Sequence, residues 1–254
     1  MKRKVNVRAF ELLDKWKNCD STVGKSLVYA QNKMRAENEG FPSIMEVGKS
    51  MGLTQHEVAA VLGWTTGDFR LINPIARGQE EVEFEDFPKG QRTMCKLSRA
   101  DVMPYVQVLH GAVQKLPALT STQPLYRGHR REVSLPVGSV VLLPGFTSTS
   151  YDMDGALAFA KQANQGRSAK RTLLVIQESF SGRLVAKLSA RKYEAEVLFP
   201  IDTCFKVVEA LPSPATEAAA KAAEELRQSM SEAEIRVVCL HEIEKPEDAT
   251  VVPL

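Results

Sequence analysis

The residue pattern of the chain changes once, near residue 120, and this change limits the folds that the chain can adopt. Before it, apolar residues recur three or four positions apart, which predicts helices. After it, short runs rich in β-branched residues are separated by Gly, Pro and Ser, which predicts strands. The sequence therefore predicts an α+β protein with a helical N-terminal part and a strand-dominated remainder.

The elements predicted from this pattern alternate short apolar runs with polar connections. In the first part, helices are predicted over residues 5–16, 23–35, 43–49, 55–62 and 99–116. The acidic interval 78–90 is interpreted as a loop. In the second part, two helices are predicted over residues 154–165 and 216–230, and strands over residues 124–127, 137–143, 145–148, 172–177, 183–187, 194–198, 203–211 and 235–243.

Composition narrows the class of protein further. The chain has 254 residues, of which 44% are hydrophobic and 25% charged, with a net charge of +2. These values are typical of a globular protein and give no sign of a basic nucleic-acid surface. The four cysteines lie far apart without a Cys-x-x-Cys pair, so no metal site is predicted.

No run of apolar residues in the sequence approaches the length of a membrane span, and the basic N-terminus has no apolar core of a signal peptide. We therefore expect neither a nucleic acid nor a membrane as partner. The predicted location is the cytoplasm, or a host cell into which the chain is delivered without a cleavable signal peptide.

Residues 52–69 raise a different hypothesis, because they resemble the first two helices of a helix-turn-helix repressor. Thr54 caps the first predicted helix and Gly63 makes the turn. Against this, Pro74 interrupts the second helix, and few basic side chains are available for phosphate contacts. A DNA-binding regulator stays open as an alternative.

Three short blocks in the strand-rich part share one chemistry. An arginine followed by glycine, Arg127-Gly128, is suited to a phosphate. Hydroxyl side chains over residues 147–150 can hold a ribose. Glu194 and Glu196 are two apart in a predicted strand, so they share a face and can stabilise a glycosyl cation. Together they predict a site that breaks the N-glycosidic bond of a nucleotide such as NAD.

The blocks Tyr-Arg-Gly at 126–128, Phe-x-Ser-Thr-Ser at 146–150 and Glu-x-Glu-Val-Leu-Phe-Pro at 194–200 resemble, in this order, the signature of the R-S-E mono-ADP-ribosyltransferases. The resemblance implies a core of two packed, mostly antiparallel sheets, with NAD in the cleft between them. It also implies a catalytic domain over residues 46–254, preceded by a helical extension over residues 1–45.

The resemblance further implies which residues bind NAD. Arg127 would contact its phosphates, and Ser148 would hold the nicotinamide ribose or position the catalytic glutamate. Phe159 matches an aromatic residue that packs on nicotinamide, although a core position for it stays open. The other implied contacts are Tyr126, Gly128, Thr149, Ser150 and Glu196.

Four residues are implied as catalytic, namely Arg127, Ser148, Glu194 and Glu196. Glu196 would bind the ribose 2′-OH and stabilise the oxocarbenium ion as nicotinamide leaves. Glu194 would orient the acceptor, and glutamate rather than glutamine at this position marks arginine as the target in the family. NAD is then a substrate, and no metal is implied.

The sequence therefore predicts a mono-ADP-ribosyltransferase that moves ADP-ribose from NAD to an arginine of a target protein and acts as a bacterial effector or toxin. Two alternatives use the same site. A NAD glycohydrolase would have water as its acceptor, and a silent NAD-binding module would release no nicotinamide. The helix-turn-helix regulator is the alternative from a different class.

Overall fold

The computed structural model describes residues 44–65, 69–86, 93–119, 123–161, 170–189, 195–209, 217–221, 224, 235–246 and 251–253. The helices predicted over residues 5–16 and 23–35 lie outside these ranges, as does Glu194. The chain divides into two compact units. The first is Met1–Pro117 with Val185–Tyr193, and the second is Ala118–Leu184 with Glu194–Leu254.

The described part of the first unit is mainly helical, as predicted. Its elements are α1 (Ile44–Ser50), α2 (Gln55–Gly63), α3 (Phe69–Ala76), β1 (Glu81–Asp86), β2 (Thr93–Ser98), α4 (Arg99–Lys115) and a 3-10 turn (Ala186–Leu188). Helices α2 and α4 begin at the capping boxes of Thr54 with Glu57 and of Ser98 with Asp101, which satisfy the first backbone N–H groups.

Two predictions for this unit are wrong. The acidic interval contains a strand, because β1 pairs with β2 in an antiparallel hairpin, in which Glu83 lies opposite Lys96 and forms an ion pair with it at 2.8 Å. Alternating Glu with Val and Phe is a strand pattern that its acidity concealed. Helix α3 also continues through Pro74, whereas the sequence predicted an interruption there.

Helix α3 would be the DNA-reading helix of the helix-turn-helix alternative. Leu71, Ile72, Asn73 and Ile75 of this eight-residue helix are buried, while Phe69 and Arg70 are exposed. A helix this short with half of its residues buried has few side chains left for base contacts. The alternative therefore loses support.

The second unit is built on strands that pair in one continuous order. They are β3 (Leu125–His129), β4 (Val140–Leu143), β5 (Thr147–Ser150), β6 (Arg171–Glu178), β7 (Arg183–Leu184), β8 (Glu196–Phe199), β9 (Thr203–Val208), β10 (Ile235–Ile243) and β11 (Val251–Pro253). The spatial order is β11-β4-β9-β10-β6-β3-β5-β8-β7. Within the described strands, β10 with β6 and β11 with β4 are parallel, and the other pairings are antiparallel.

The strand order has one weak link, between β3 and β5, where only Tyr126 and Ser150 are paired. Strands on the two sides of this link pack face to face, because Phe199 of β8 contacts Phe205 of β9 with ring centroids 5.3 Å apart. Both belong to one buried apolar cluster, together with Leu125, Leu174 and Val197. The predicted α+β core of packed, mostly antiparallel sheets is confirmed, with the two layers joined along one edge.

A second apolar cluster covers the other face of β3 and β6. Helix α5 (Met153–Lys161) lies there, and its Ala156 and Leu157 pack with Tyr126 and Leu173. Strand β6 is buried on both faces, which explains its unbroken apolar run. The strand predicted over residues 183–187 is shorter in the structure than in the prediction and covers only Arg183–Leu184. Within the described residues, no helix is long and apolar enough to cross a membrane.

Candidate active site

Strand β5 brings the predicted serine and glutamate together across 48 residues of sequence. Ser150 lies directly opposite Glu196 of β8. Side chains alternate along a strand, so Ser148, Ser150 and Glu196 share one face. On that face the Ser148 hydroxyl donates a hydrogen bond to Glu196 Oε1. The Glu196 carboxylate is only 5% exposed, and this bond holds it in one orientation.

The predicted arginine joins this pair from strand β3. Arg127 Nη1 donates to the backbone oxygen of Ser148 at 2.5 Å. Arg127 Nε donates to His129 Nε2 at 3.2 Å. Three strands that are distant in sequence thus connect a guanidinium, a hydroxyl and a buried carboxylate through direct contacts. The sequence did not single out His129, although its position two residues after Arg127 in a strand places it on the same face.

The hydroxyls of β5 divide between the two faces of the strand. Thr149 is buried, and its Oγ1 donates to the backbone oxygen of Val197 at 3.0 Å. Thr147 is likewise buried. Thr149 therefore supports the pairing of β5 with β8, while Ser148 and Ser150 line the face that holds Glu196.

Gly128 and Tyr126 contact helix α5 rather than an open surface. A Cβ added at Gly128 would lie 2.0 Å from the backbone oxygen of Ala156, so only glycine permits the helix to approach β3 this closely. Tyr126 is 8% exposed within the cluster under α5. Burial raises the pKa of its hydroxyl, which keeps the side chain neutral.

Phe159 is on the outer side of helix α5. Its side chain is 45% exposed, which excludes the core position that the sequence left open. The Arg130 guanidinium lies over the ring at 4.4 Å from its centroid, and Arg130 Nε donates to the Phe159 backbone oxygen at 3.3 Å. The sequence did not predict this arginine as a neighbour of Phe159.

The start of strand β8 differs from the prediction. Ala195 has a φ of +44°, which is the left-handed region, and the strand begins only at Glu196. The argument that Glu194 and Glu196 share a strand face requires an extended backbone at Ala195, so that argument fails. The position of Glu194 is outside the described residues. In the described part of the chain, no three acidic, His or Cys side chains are grouped as a metal site would require.

Comparison with known proteins decides the family of the chain. A family model described as NAD:arginine ADP-ribosyltransferase matches residues 14–222. The chain belongs to this family. A curated relative, the putative NAD(+)--arginine ADP-ribosyltransferase Vis of Vibrio splendidus, is 33% identical over 115 residues. That match covers 43% of this chain and 45% of the relative, so it spans less than half of either protein.

Solved structures of ADP-ribosyltransferases share the fold of this family member. The structure of Vis in complex with agmatine has a TM-score of 0.53 at 20% identity, covering 84% of this chain and 90% of that one. A point mutant of the eukaryotic mono-ADP-ribosyltransferase ART2.2 in complex with NADH has a TM-score of 0.55 at 15% identity, covering 98% of this chain and 89% of that one. At these identities the likeness concerns the fold alone.

Proposed function

We propose that the chain transfers ADP-ribose from NAD to an arginine side chain of a target protein and releases nicotinamide. The observation that carries the proposal is the pair of hydrogen bonds that links Arg127 to Ser148 and Ser148 to Glu196. It unites the three kinds of group that this reaction needs, namely a cation for phosphate, a hydroxyl for ribose and a carboxylate for a cationic sugar. Membership of the family supports the same reaction.

In the proposed reaction, the bond between ribose C1′ and the nicotinamide nitrogen breaks, and nicotinamide leaves with the electron pair. Positive charge develops on the ribose, and the Glu196 carboxylate stabilises it because a buried carboxylate acts in a medium of low dielectric constant. A guanidinium nitrogen of the acceptor then forms the new bond to C1′ and loses a proton.

Ser148 and Arg127 prepare this step. The Ser148 hydroxyl donates to Glu196 Oε1 and fixes the direction of the carboxylate before NAD arrives. Arg127 is held against the Ser148 backbone, so its charge stays beside the same strand. A guanidinium suits the pyrophosphate of NAD, since its planar array of N–H donors matches phosphate oxygens.

Glu194 is proposed to bind and help deprotonate the acceptor, because a protonated guanidinium is a poor nucleophile. What supports arginine as acceptor is the family description and the similarity to Vis, which has been crystallised with agmatine, a guanidinium compound. The protein partner is then one that presents an exposed arginine.

The test is incubation with labelled NAD, with and without agmatine, followed by measurement of nicotinamide and of labelled agmatine. We expect both products from the unchanged chain. Glu196→Gln should lower both rates by about a thousandfold, because an amide cannot stabilise the cation by charge. Glu194→Ala should lose agmatine labelling and keep slow nicotinamide release.

Other outcomes of this experiment identify the alternatives. Nicotinamide release without agmatine labelling would indicate a NAD glycohydrolase, and NAD binding without release would indicate a silent module. Unchanged rates in Glu196→Gln would refute the site. A separate gel-shift measurement tests the helix-turn-helix alternative, which a shift of DNA mobility at low salt would restore.

We also propose residues 46–254 as the catalytic domain and the interior of a host cell as its place of action. The similarity to a protein described as the Vis toxin supports the second point. A variant without residues 1–45 should consume NAD at the rate of the full chain. Expression in cultured host cells should label host proteins, and Glu196→Gln should not.

A further inference from the structure

We propose that His129 is a positioning residue that sets which edge of the Arg127 guanidinium receives the phosphates of NAD. The proposal rests on the proposed function, since it concerns how that site takes its substrate. Arg127 and His129 are two residues apart in β3, and Arg127 Nε donates to His129 Nε2 at 3.2 Å.

The direction of this hydrogen bond restricts the imidazole. An arginine side chain is always protonated and only donates, so His129 Nε2 must present a lone pair. The proton of the neutral ring is then on Nδ1. The hydrogen bond from Arg127 therefore requires an uncharged imidazole at His129.

Two hydrogen bonds of Arg127 restrict how its guanidinium can take a phosphate. A guanidinium can take a phosphate through Nε with one Nη, or through both Nη atoms. His129 occupies Nε, and the Ser148 backbone oxygen accepts from Nη1. The side-on mode is thus blocked by His129, which directs an anion to the end formed by the two Nη groups.

Both contacts also hold the guanidinium plane relative to the Ser148–Glu196 pair. Ser148 contributes its backbone oxygen to Arg127 and its hydroxyl to Glu196. Without the anchor at Nε, the guanidinium is held less firmly, and part of the binding free energy of NAD is then spent on fixing it again. The expected effect is on NAD affinity rather than on the chemical step.

The experiment compares His129→Leu, which removes the acceptor, with His129→Gln, whose amide oxygen can take the place of Nε2. His241→Leu is the matched control, because His241 lies in β10 and contacts Gln177 at 3.1 Å. The Michaelis constant for NAD and kcat are measured with agmatine as acceptor. The NMR signal of the Arg127 Nε–H group, assigned by its loss in Arg127→Lys, reports the contact directly.

We expect His129→Leu to raise the Michaelis constant for NAD about tenfold and to change kcat less than about twofold, as loss of one hydrogen bond to a charged group implies. His129→Gln should restore both values to within about threefold, and His241→Leu should leave them unchanged. The Nε–H signal should exchange slowly with water in the unchanged chain and in His129→Gln, and rapidly in His129→Leu.

The proposal is overturned if Leu and Gln raise the Michaelis constant equally, if kcat falls while the Michaelis constant stays the same, or if the Nε–H signal is the same in all three proteins. An unchanged chain that consumes no NAD refutes the proposed function instead. In that case the NMR comparison alone decides whether His129 positions Arg127.

Discussion

Single residues at this site have different tasks although they are close in sequence. Ser148 and Thr149 are neighbours in β5, yet the first donates to the Glu196 carboxylate and the second to the backbone of Val197. The alternation of side chains along a strand separates them onto opposite faces. Substitutions at the two positions should therefore change different properties.

Ser148→Ala is expected to lower kcat of the proposed reaction about tenfold, because Glu196 loses the donor that orients it. Thr149→Val should lower the free energy of unfolding by about 1 kcal/mol, since the backbone oxygen of Val197 loses a buried partner. Steady-state kinetics and urea denaturation measure the two effects. A fall in kcat from Thr149→Val equal to that from Ser148→Ala would contradict this division.

Ala195 has its own conformational cost, because a φ of +44° crowds the Cβ of any L-residue. Ala195→Val should lower the free energy of unfolding by about 1–2 kcal/mol, since a β-branched side chain is strained there, while Ala195→Gly should not lower it. Ala158→Val on the exposed side of α5 is the control and should cost only about 0.5 kcal/mol. Equal urea midpoints for Ala195→Val and Ala195→Gly would show that the residue is not strained.

At the scale of elements, helix α5 can approach strand β3 closely because residue 128 is a glycine and has no side chain. The backbone oxygen of Ala156 and the Cβ of Ala160 occupy the space beside Gly128. The helix follows β5 directly and covers β3, so its depth also determines where Phe159 and Arg130 lie. A larger residue at position 128 would move the helix and both of these side chains.

Gly128→Ala should therefore lower the free energy of unfolding by more than about 2 kcal/mol, because the new Cβ meets backbone atoms that cannot rotate away. Gly111→Ala in α4 is the matched control. Its Cβ would lie 3.8 Å from the nearest side-chain atom, Glu57 Oε1, and the change should raise the free energy of unfolding by up to about 1 kcal/mol through helix propensity. Urea denaturation of both variants measures the difference, and equal effects would exclude steric crowding at Gly128.

At the scale of the whole molecule, the chain consists of two units, and the first contains a partly buried ion pair. Glu57 lies in the first turn of α2, and Lys115 at the end of α4 donates to both of its carboxylate oxygens, at 2.7 and 2.9 Å. Burial alone would raise the pKa of the Glu57 carboxyl, but the hydrogen bonds from Lys115 and Thr54 lower it below the usual value of 4.5. Folding therefore favours the charged form.

A pKa that is lower in the folded state contributes stability above the unfolded value and loses it as pH falls through the folded value. We expect the urea midpoints of the unchanged chain and of Glu57→Gln to differ most at neutral pH. The difference should decrease as the pH falls below 4.5. Fluorescence of Trp64, which is buried in the same unit, reports the transition in a Trp16→Phe background. A difference that does not change with pH would show that the lowered pKa of Glu57 contributes nothing.

Much of the second unit could be predicted from local pattern. The strand over residues 235–243 agrees with the structure at both ends, and β6 differs by one residue at each end. Strand β6 is buried from Arg171 to Ile176, so its apolar run ends where the burial ends. Strand β1 was missed because its many acidic residues, of which Glu81 and Glu83 are exposed, made composition outweigh alternation there.

The sequence by itself determined the α+β class, the order of the three blocks and the family, since these depend on residue types and their periodicity along the chain. Only the tertiary structure decided that Ser148 reaches Glu196, that His129 and the Ser148 backbone hold Arg127, and that Ala195 leaves the strand. Glycine at position 128 is likewise explained only by the helix packed against it. Strand pairing and packing join residues that are tens of positions apart, and the free energy of such contacts depends on the whole fold rather than on local sequence.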